Sequence, residues 1–309
     1  MSNRINQRLR FEDLSALLNC GGYLPGIGFC ISSAAAFIAM SGIVRNDGPA
    51  LATFLTYGIT SIFFIFIGFH RALIWIKCAK KDVFNLLLIN TLTIANTFLV
   101  YLILLSVSAF TYVIVFFGVL PACSAMLLVI LHKTKVNILP YLILMAFIIF
   151  AAYVSSQSES LASLTGIGLS VVSAMAGAAY LDVSKKFQIK NNIKTSDVLA
   201  LRFIGTILIS GVLVANTPNM PVLSIDYFLV YGFIALIGSI IPLFLLQKSN
   251  EYIGPVRTAR MMPLIPLLCI LLTFIVSPNP PRLIDLIIIV AATLVVLIVV
   301  HRLNDYSGD

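Results

Sequence analysis

Ten apolar stretches alternate with short polar breaks along the chain, at 24–44, 50–69, 84–104, 108–131, 138–154, 164–183, 198–215, 227–246, 252–275 and 283–301. Most hold 17–25 residues with few or no charges. At about 1.5 Å per helical residue, that length crosses a hydrocarbon core about 30 Å thick. The pattern predicts an all-α membrane protein with ten transmembrane helices.

The breaks are not equivalent. Arg4, Arg8 and Arg10 precede the first stretch; Arg71, Lys77, Lys80 and Lys81 follow the second; Lys133 and Lys135 follow the fourth; Lys185, Lys186, Lys190 and Lys194 follow the sixth; Lys248 follows the eighth and Arg302 the tenth. The alternate breaks hold only Arg45 and Arg282. Basic residues accumulate on the cytoplasmic side of membrane proteins, so both termini are expected in the cytoplasm and the number of spans should be even. A net charge of +8 is on this reading a topological signal, and no nucleic-acid partner is expected. The hydrophobic share of 60 % and charged share of 10 % agree with the class, as does a mean hydropathy of +1.05.

Residues 1–23 read as a polar cytoplasmic arm, with Glu12 and Asp13 beside the arginines and no apolar core of the secretory kind. The five cysteines, at 20, 30, 78, 123 and 269, show no paired spacing, so neither a disulfide framework nor a metal site is expected. The loops leave no room for a soluble domain.

Shifted by 142 residues, the chain lays over itself: Gly26 falls on Gly168, Ala34 on Ala176, Ala36 on Ala178 and Pro121 on Pro263. Two halves result, 24–154 and 164–302, each with five spans. Because five is odd, the second half should enter the membrane inverted relative to the first. Inverted repeats of this kind usually build a transporter whose site lies near the midplane between the halves.

Two stretches carry a family resemblance: YLILLSVSAFTYVIVFFGVLPACSAMLLVILHKTK over 101–135, and IPLFLLQKSNEYIGPVRTARMMPLIPLLCILLTFI over 241–275. In each, a helix ends in a short break and the next helix carries a proline about a dozen residues in. With two five-span halves and cytoplasmic termini, the chain resembles the drug/metabolite transporter superfamily, nearest its EamA-type permeases, over roughly 24–302. The Gly-Glu that commonly closes the fourth span of each half is replaced by His132-Lys133 and Ser277-Pro278. The resemblance implies a metabolite carrier without naming its substrate.

Polar residues at membrane depth are the candidates for solute contact. Asn90, Thr93, Thr97 and Tyr101 recur at three- and four-residue steps and share a helical face, with Asn96 off that stripe. The stripe either lines a cavity or bonds a neighbouring helix. Tyr112, Ser108, Ser124, Gln247 and Asn250 are weaker candidates. The ninth span opens Asn250-Glu251-Tyr252-Ile253-Gly254-Pro255 and then places Arg257 and Arg260 on one face. Two arginines at a helix start suit either a bound phosphate or carboxylate, or lipid headgroups reached by snorkelling. Arg202 and Asp182 lie at the same side and are expected to pair. Gly166, Gly168, Ser170, Ser173, Ala174, Gly177 and Ala178 make a small-residue face that either packs helices closely or lines a gate. Pro121 and Pro263 are candidate hinges.

The twelve acidic residues all lie in breaks or near span ends, which favours exchange or uniport over proton coupling through a buried carboxylate, with Glu251 or Asp182 as the alternative. No GxxxxGK[ST] loop is present, and His70, His132 and His301 are scattered. The chain is therefore expected to be no enzyme and to need no cofactor. It is expected to be a secondary transporter of a small organic metabolite bearing a carboxylate or phosphate (an amino acid, organic acid or nucleotide-like solute) in a bacterial cytoplasmic membrane. The alternatives are an exporter of amines or drug-like cations and a structural membrane protein. Its partners would be the solute, the lipid bilayer and, optionally, a second copy in a homodimer.

Overall fold

A computed structural model describes residues 21–37, 47–132, 139–156, 164–217 and 224–276, with scattered helical positions between 287 and 294. The expected arm at 1–23 and tenth span at 283–301 thus lie largely outside the described residues. The described residues form helices and turns only. Among the described residues, seven helical runs, four of them made of consecutive helices, are long and apolar enough to cross a membrane, which makes this a multi-pass membrane protein.

We number the helices α1 (21–37), α2 (Pro49–Gly68), α3 (Ala72–Lys81), α4 (Val83–Ser106), α5 (Ala109–His132), α6 (Leu139–Ser156), α7 (Leu164–Asn191), α8 (Thr195–Leu201), α9 (Ile204–Ala215), α10 (Ile225–Ala235), α11 (Ile241–Ile253), α12 (Pro255–Met261) and α13 (Leu264–Val276). Three of the expected polar breaks are wholly or largely helical, one of them 247–251 inside α11. A 3-10 turn at Phe69–Arg71 joins α2 to α3, so one helical run extends to Lys81. The run there contains no Gly or Pro after Gly68, and its basic side chains reach outward from the helix surface. For the same reason α7 runs on past 183, carrying Lys185, Lys186 and Lys190.

Sharp starts are made by Gly-Pro pairs. Gly48 and Gly254 hold φ of 79° and 85°, a region closed to most side chains, and Pro49 and Pro255 then occupy the first helical position. α7 stops at Asn192, whose φ of 47° is left-handed, and Ile193 N–H closes the end on the Gln188 carbonyl at 3.2 Å.

α7 packs on α4 and α5, and α2 packs on α8 and α9. α1 meets α5 through Phe29 and Phe37, and lies against the second half as well: Gly22 faces Ile253, Gly26 faces Met261 and Gly28 faces Leu245. The Cys30 thiol donates to the Met261 carbonyl and the Cys269 thiol to the Ala34 carbonyl, which fastens α1 to α12 and α13. Large apolar side chains such as Phe66, Phe84 and Ile275 are exposed, while Thr53, Thr60, Thr93, Ser170 and Ser210 are buried. Polar groups inside and apolar groups outside is the arrangement lipid requires.

The small-residue face of α7 serves close packing at Gly166. A Cβ on Gly166 would lie 2.6 Å from Val107 Cγ1 and 3.2 Å from Ser106 Cβ, whereas one on Gly168 would meet nothing within 4 Å. Gly166→Ala is therefore expected to cost about 1–3 kcal/mol by overpacking. Gly168→Ala should be neutral or slightly stabilising, since Ala is the better helix former. Thermal midpoints of the two purified variants check the contrast.

Candidate functional site

Three interruptions of helical backbone converge on one place. The first lies between α8 and α9, where Arg202 and Phe203 leave the helix. A regular helix would bond Gly205 N–H to the Leu201 carbonyl. Here Asn90, from α4, inserts its amide into that gap: Nδ2 donates to the Leu201 carbonyl at 3.1 Å, and Oδ1 accepts from Gly205 N–H at 2.9 Å. A side chain inserted into the i→i−4 ladder is a recognised cause of a helix break. The second interruption is a π-helical turn at Leu236–Ile240, of the kind found frequently at functional sites. The third lies between α12 and α13, where Pro263 removes a donor and Met262 and Pro263 form a turn.

Arg202, Gly238 and Met262, one from each interruption, line a single cavity of about 100 Å³. That volume is room for several water molecules, each needing roughly 10–15 Å³ by this measure. α1 contributes Phe29, Ser33, Ala36 and Phe37; α2 contributes Tyr57; α4 contributes Asn96, Thr97 and Val100; α5 contributes Tyr112, Phe116, Phe117 and Leu120. Gly177, Tyr180 and Leu181 of α7 and Pro242, Leu243 and Leu246 of α11 complete the wall. The site therefore draws on both halves of the chain.

Arg202 is its outstanding group. It is 1 % exposed, and its Nε and Nη1 have no hydrogen-bond partner. Its guanidinium carbon lies 3.9 Å from the centre of the Tyr180 ring and 4.8 Å from that of Phe203, within cation–π range of both. Tyr57 in turn stacks on Phe203 at 5.1 Å. Tyr180 is held by its hydroxyl, which donates to Gln247 Oε1 at 2.9 Å. Gln247 Nε2 donates to Gln188 Oε1 at 2.9 Å, Gln188 meets Thr195 at 3.4 Å, and Thr195 donates to Glu251 at 2.6 Å. A polar chain thus runs from the cavity wall to the charged end of the bundle.

That end is dense with ion pairs. Asp197 is fully buried; it takes Trp75 Nε1–H at 2.8 Å and Lys194 N–H at 2.7 Å, and pairs with Arg71 at 2.9 Å. Asp82 pairs with Lys190 at 3.0 Å and accepts from Asn85 and Asn191. Burial pushes the Asp82 carboxyl up, but the hydrogen bonds from Asn85, Lys190 and Asn191 outweigh it and hold the group below its ordinary value of 3.8. A folded-state pKa below the unfolded one stabilises above the ordinary value and fades as pH falls through the folded value. The thermal midpoint should therefore decline as pH drops below about 4, and Asp82→Asn should remove part of that decline.

The expected site residues divide. Thr97 and Tyr112 line the cavity. Asn90 does not; its amide is committed to the helix break. Thr93 and Tyr101 are buried behind the wall, Tyr101 edge-on to Tyr57 at 6.2 Å. Gln247 is one residue removed from the cavity, as the support of Tyr180. Arg257 is exposed and Arg260 is half-buried with Nε unpartnered; neither lines the cavity. α12 ends after seven residues, so the two arginines do not head a long helix. The expected Asp182–Arg202 pair is not formed: Asp182 holds Lys186 one turn along α7 at 2.7 Å, and the break at 202–203 turns Arg202 into the cavity. Pro121 lies inside the unbroken α5, whereas Pro263 sits in a real interruption. Arg202, Asn96, Tyr57 and Tyr180 are the site residues that the polar stripe did not reveal.

No family model matches the sequence, and no curated protein matches it. Among solved structures the chain is similar to one described only as the crystal structure of a protein, with a TM-score of 0.64 at 16 % identity over 91 % of this chain and 98 % of that one. At that identity the likeness concerns the fold: this helical architecture is one that an experimentally determined protein shares over nearly its whole length.

Proposed function

We propose that the chain is a secondary transporter that moves a small organic metabolite bearing a carboxylate or phosphate across a bacterial cytoplasmic membrane by alternating access. The observation that carries the proposal is Arg202: a buried guanidinium with unpartnered nitrogens in a cavity walled by both halves. A buried charge without a counter-ion is costly. An anionic solute would supply the missing partner and leave again, which is what a carrier site requires.

The reading includes ten spans in two inverted halves with both termini cytoplasmic, as in EamA-type members of the drug/metabolite transporter superfamily. Reciprocal packing supports it. The first helix of the second half, α7, packs on α4 and α5 of the first, while α1 packs on the corresponding α11, α12 and α13. The second helices of the halves, α2 and α8–α9, pack on each other. An exchange of contacts of this kind follows from a two-fold relation between repeats. The cation-exporter alternative is disfavoured by a guanidinium in the cavity and by the lack of any carboxylate among its described wall residues. A purely structural role gives no reason for an internal charged cavity.

Counterflow in proteoliposomes tests the proposal. Vesicles loaded with a panel of organic carboxylates and phosphates are expected to accumulate the matching labelled solute saturably. Uptake no faster than in protein-free vesicles across the panel would refute it.

A further inference from the structure

We infer that the solute is a small monocarboxylate with a flat or branched apolar body and no ammonium group, such as a 2-oxo acid or an aromatic acid. This rests on the carrier reading above and narrows its substrate class.

The first argument is charge balance. Arg202 is the cavity's cation, and no other Lys, Arg or His stands among its described wall residues. One guanidinium neutralises one negative charge. A phosphate monoester carries about −1.5 to −2 at neutral pH, and a dicarboxylate carries two charges, so either would bring an uncompensated charge against aromatic walls.

The second argument is geometry. The Tyr180 and Phe203 rings lie against the guanidinium, and its Nε and Nη1, without a hydrogen-bond partner among the described residues, donate in the plane of the ion. A planar donor fork matches a planar carboxylate better than a tetrahedral phosphate.

The third concerns the rest of the solute. Phe37, Tyr112, Phe116 and Phe117 form a continuous aromatic cluster on the wall, with ring centroids 4.7–5.6 Å apart. They suit an apolar body. Asn96 is the neutral polar group that α4 offers to a single oxo or hydroxyl substituent, since the Thr97 hydroxyl donates to the Thr93 carbonyl at 2.7 Å. An α-ammonium group would find no carboxylate there, since Asp182 lines a separate, smaller cavity with Ser124 and Pro255. Leaving that charge unpaired costs more than leaving out the group.

Calorimetric titration of the purified full-length chain in detergent tests the inference. The probes are phenylpyruvate, 4-methyl-2-oxopentanoate, phenylalanine, phenyl phosphate and phenethylamine. At least one oxo acid should bind with a Kd about tenfold or more below those of phenylalanine and phenyl phosphate. Arg202→Gln should weaken that binding by about 30-fold or more, and Arg202→Lys by less, because it keeps the charge and loses the fork. The probe comparison is made on the unaltered protein and stands even where a variant fails to fold. Tighter binding of phenyl phosphate or phenylalanine would overturn the substrate class while leaving an anion carrier in place. Binding of phenethylamine alone would overturn both readings. Silence from both oxo acids, or unchanged affinity in a folded Arg202→Gln variant, would overturn the inference.

Discussion

Replacing Asp197 by alanine is expected to destabilise the protein by about 3–5 kcal/mol, the usual cost of breaking a buried ion pair from one side. The carboxylate is completely buried and serves three partners in two halves of the chain: Arg71 and Trp75 in the first, and the Lys194 N–H at the start of α8 in the second. Its removal strands the Arg71 guanidinium, whose side chain is only 13 % exposed. It also frees an indole N–H and the amide that begins α8. Asp197→Asn should cost less, because an amide oxygen still accepts a hydrogen bond. The double variant Asp197→Ala, Arg71→Leu should recover part of the loss, since it removes the stranded charge as well. Thermal midpoints in detergent check the series. A single variant no less stable than the parent would show that this cluster is a solvated surface and no fastening between halves.

Asn90→Leu should be the next most damaging change, and its effect should reach solute binding. Two part-buried backbone groups, the Leu201 carbonyl and Gly205 N–H, lose their partner, at about 1–3 kcal/mol each. The backbone has one inexpensive answer, which is to close the gap into continuous helix by bonding Gly205 to Leu201 directly. That closure would rotate Arg202 and Phe203 away from the cavity. The variant should therefore lose anion binding by more than its fall in stability explains. Asn90→Gln, with a longer side chain, should not rescue it. A variant that unfolds less than about 1 kcal/mol more easily and binds normally would show that the break does not depend on the amide.

The course of the membrane spans was legible in the amino-acid sequence because lipid imposes length and apolarity on every crossing. Seven of those runs stand in the structure as helical segments of spanning length, and the polar breaks that are helical, at 69–81, 184–191 and 247–251, contain no Gly or Pro. The site was legible only in part. Thr97 and Tyr112 were found by asking which polar side chains lie at membrane depth. Arg202 reads as a partner of Asp182 because DVLALRFIG contains no proline and, up to its final glycine, reads as continuous helix. The break depends on Asn90, more than a hundred residues earlier, and periodicity within one segment cannot show such a contact. The same contact explains why Asn90, the first member of the polar stripe, is not available to a solute. Tyr57 and Tyr180 were missed because an aromatic in an apolar run carries no signal of what it will stack against. Arg257 and Arg260 read as cations at a helix start, yet Arg257 points to the exposed face of α12 and it is Met262, not Arg260, that reaches the cavity.

The polar chain from Tyr180 through Gln247, Gln188 and Thr195 to Glu251 gives the cavity a physical link to the charged end of the bundle. Whatever displaces the Arg202–Tyr180 stack must also move the support of that ring. Occupancy of the site and the integrity of the ion-pair cluster should therefore be coupled.

Access to the cavity from each face of the membrane tests the central claim most directly. Ser33 lines the cavity and is 4 % exposed. Ser33→Cys, placed in a background with the native cysteines replaced, can be treated with a small anionic methanethiosulfonate in right-side-out and in inverted vesicles. A cavity that opens to each face in turn predicts modification from both sides, slowed in both by the bound carboxylate. Modification from one side only, at a rate indifferent to the carboxylate, would contradict it.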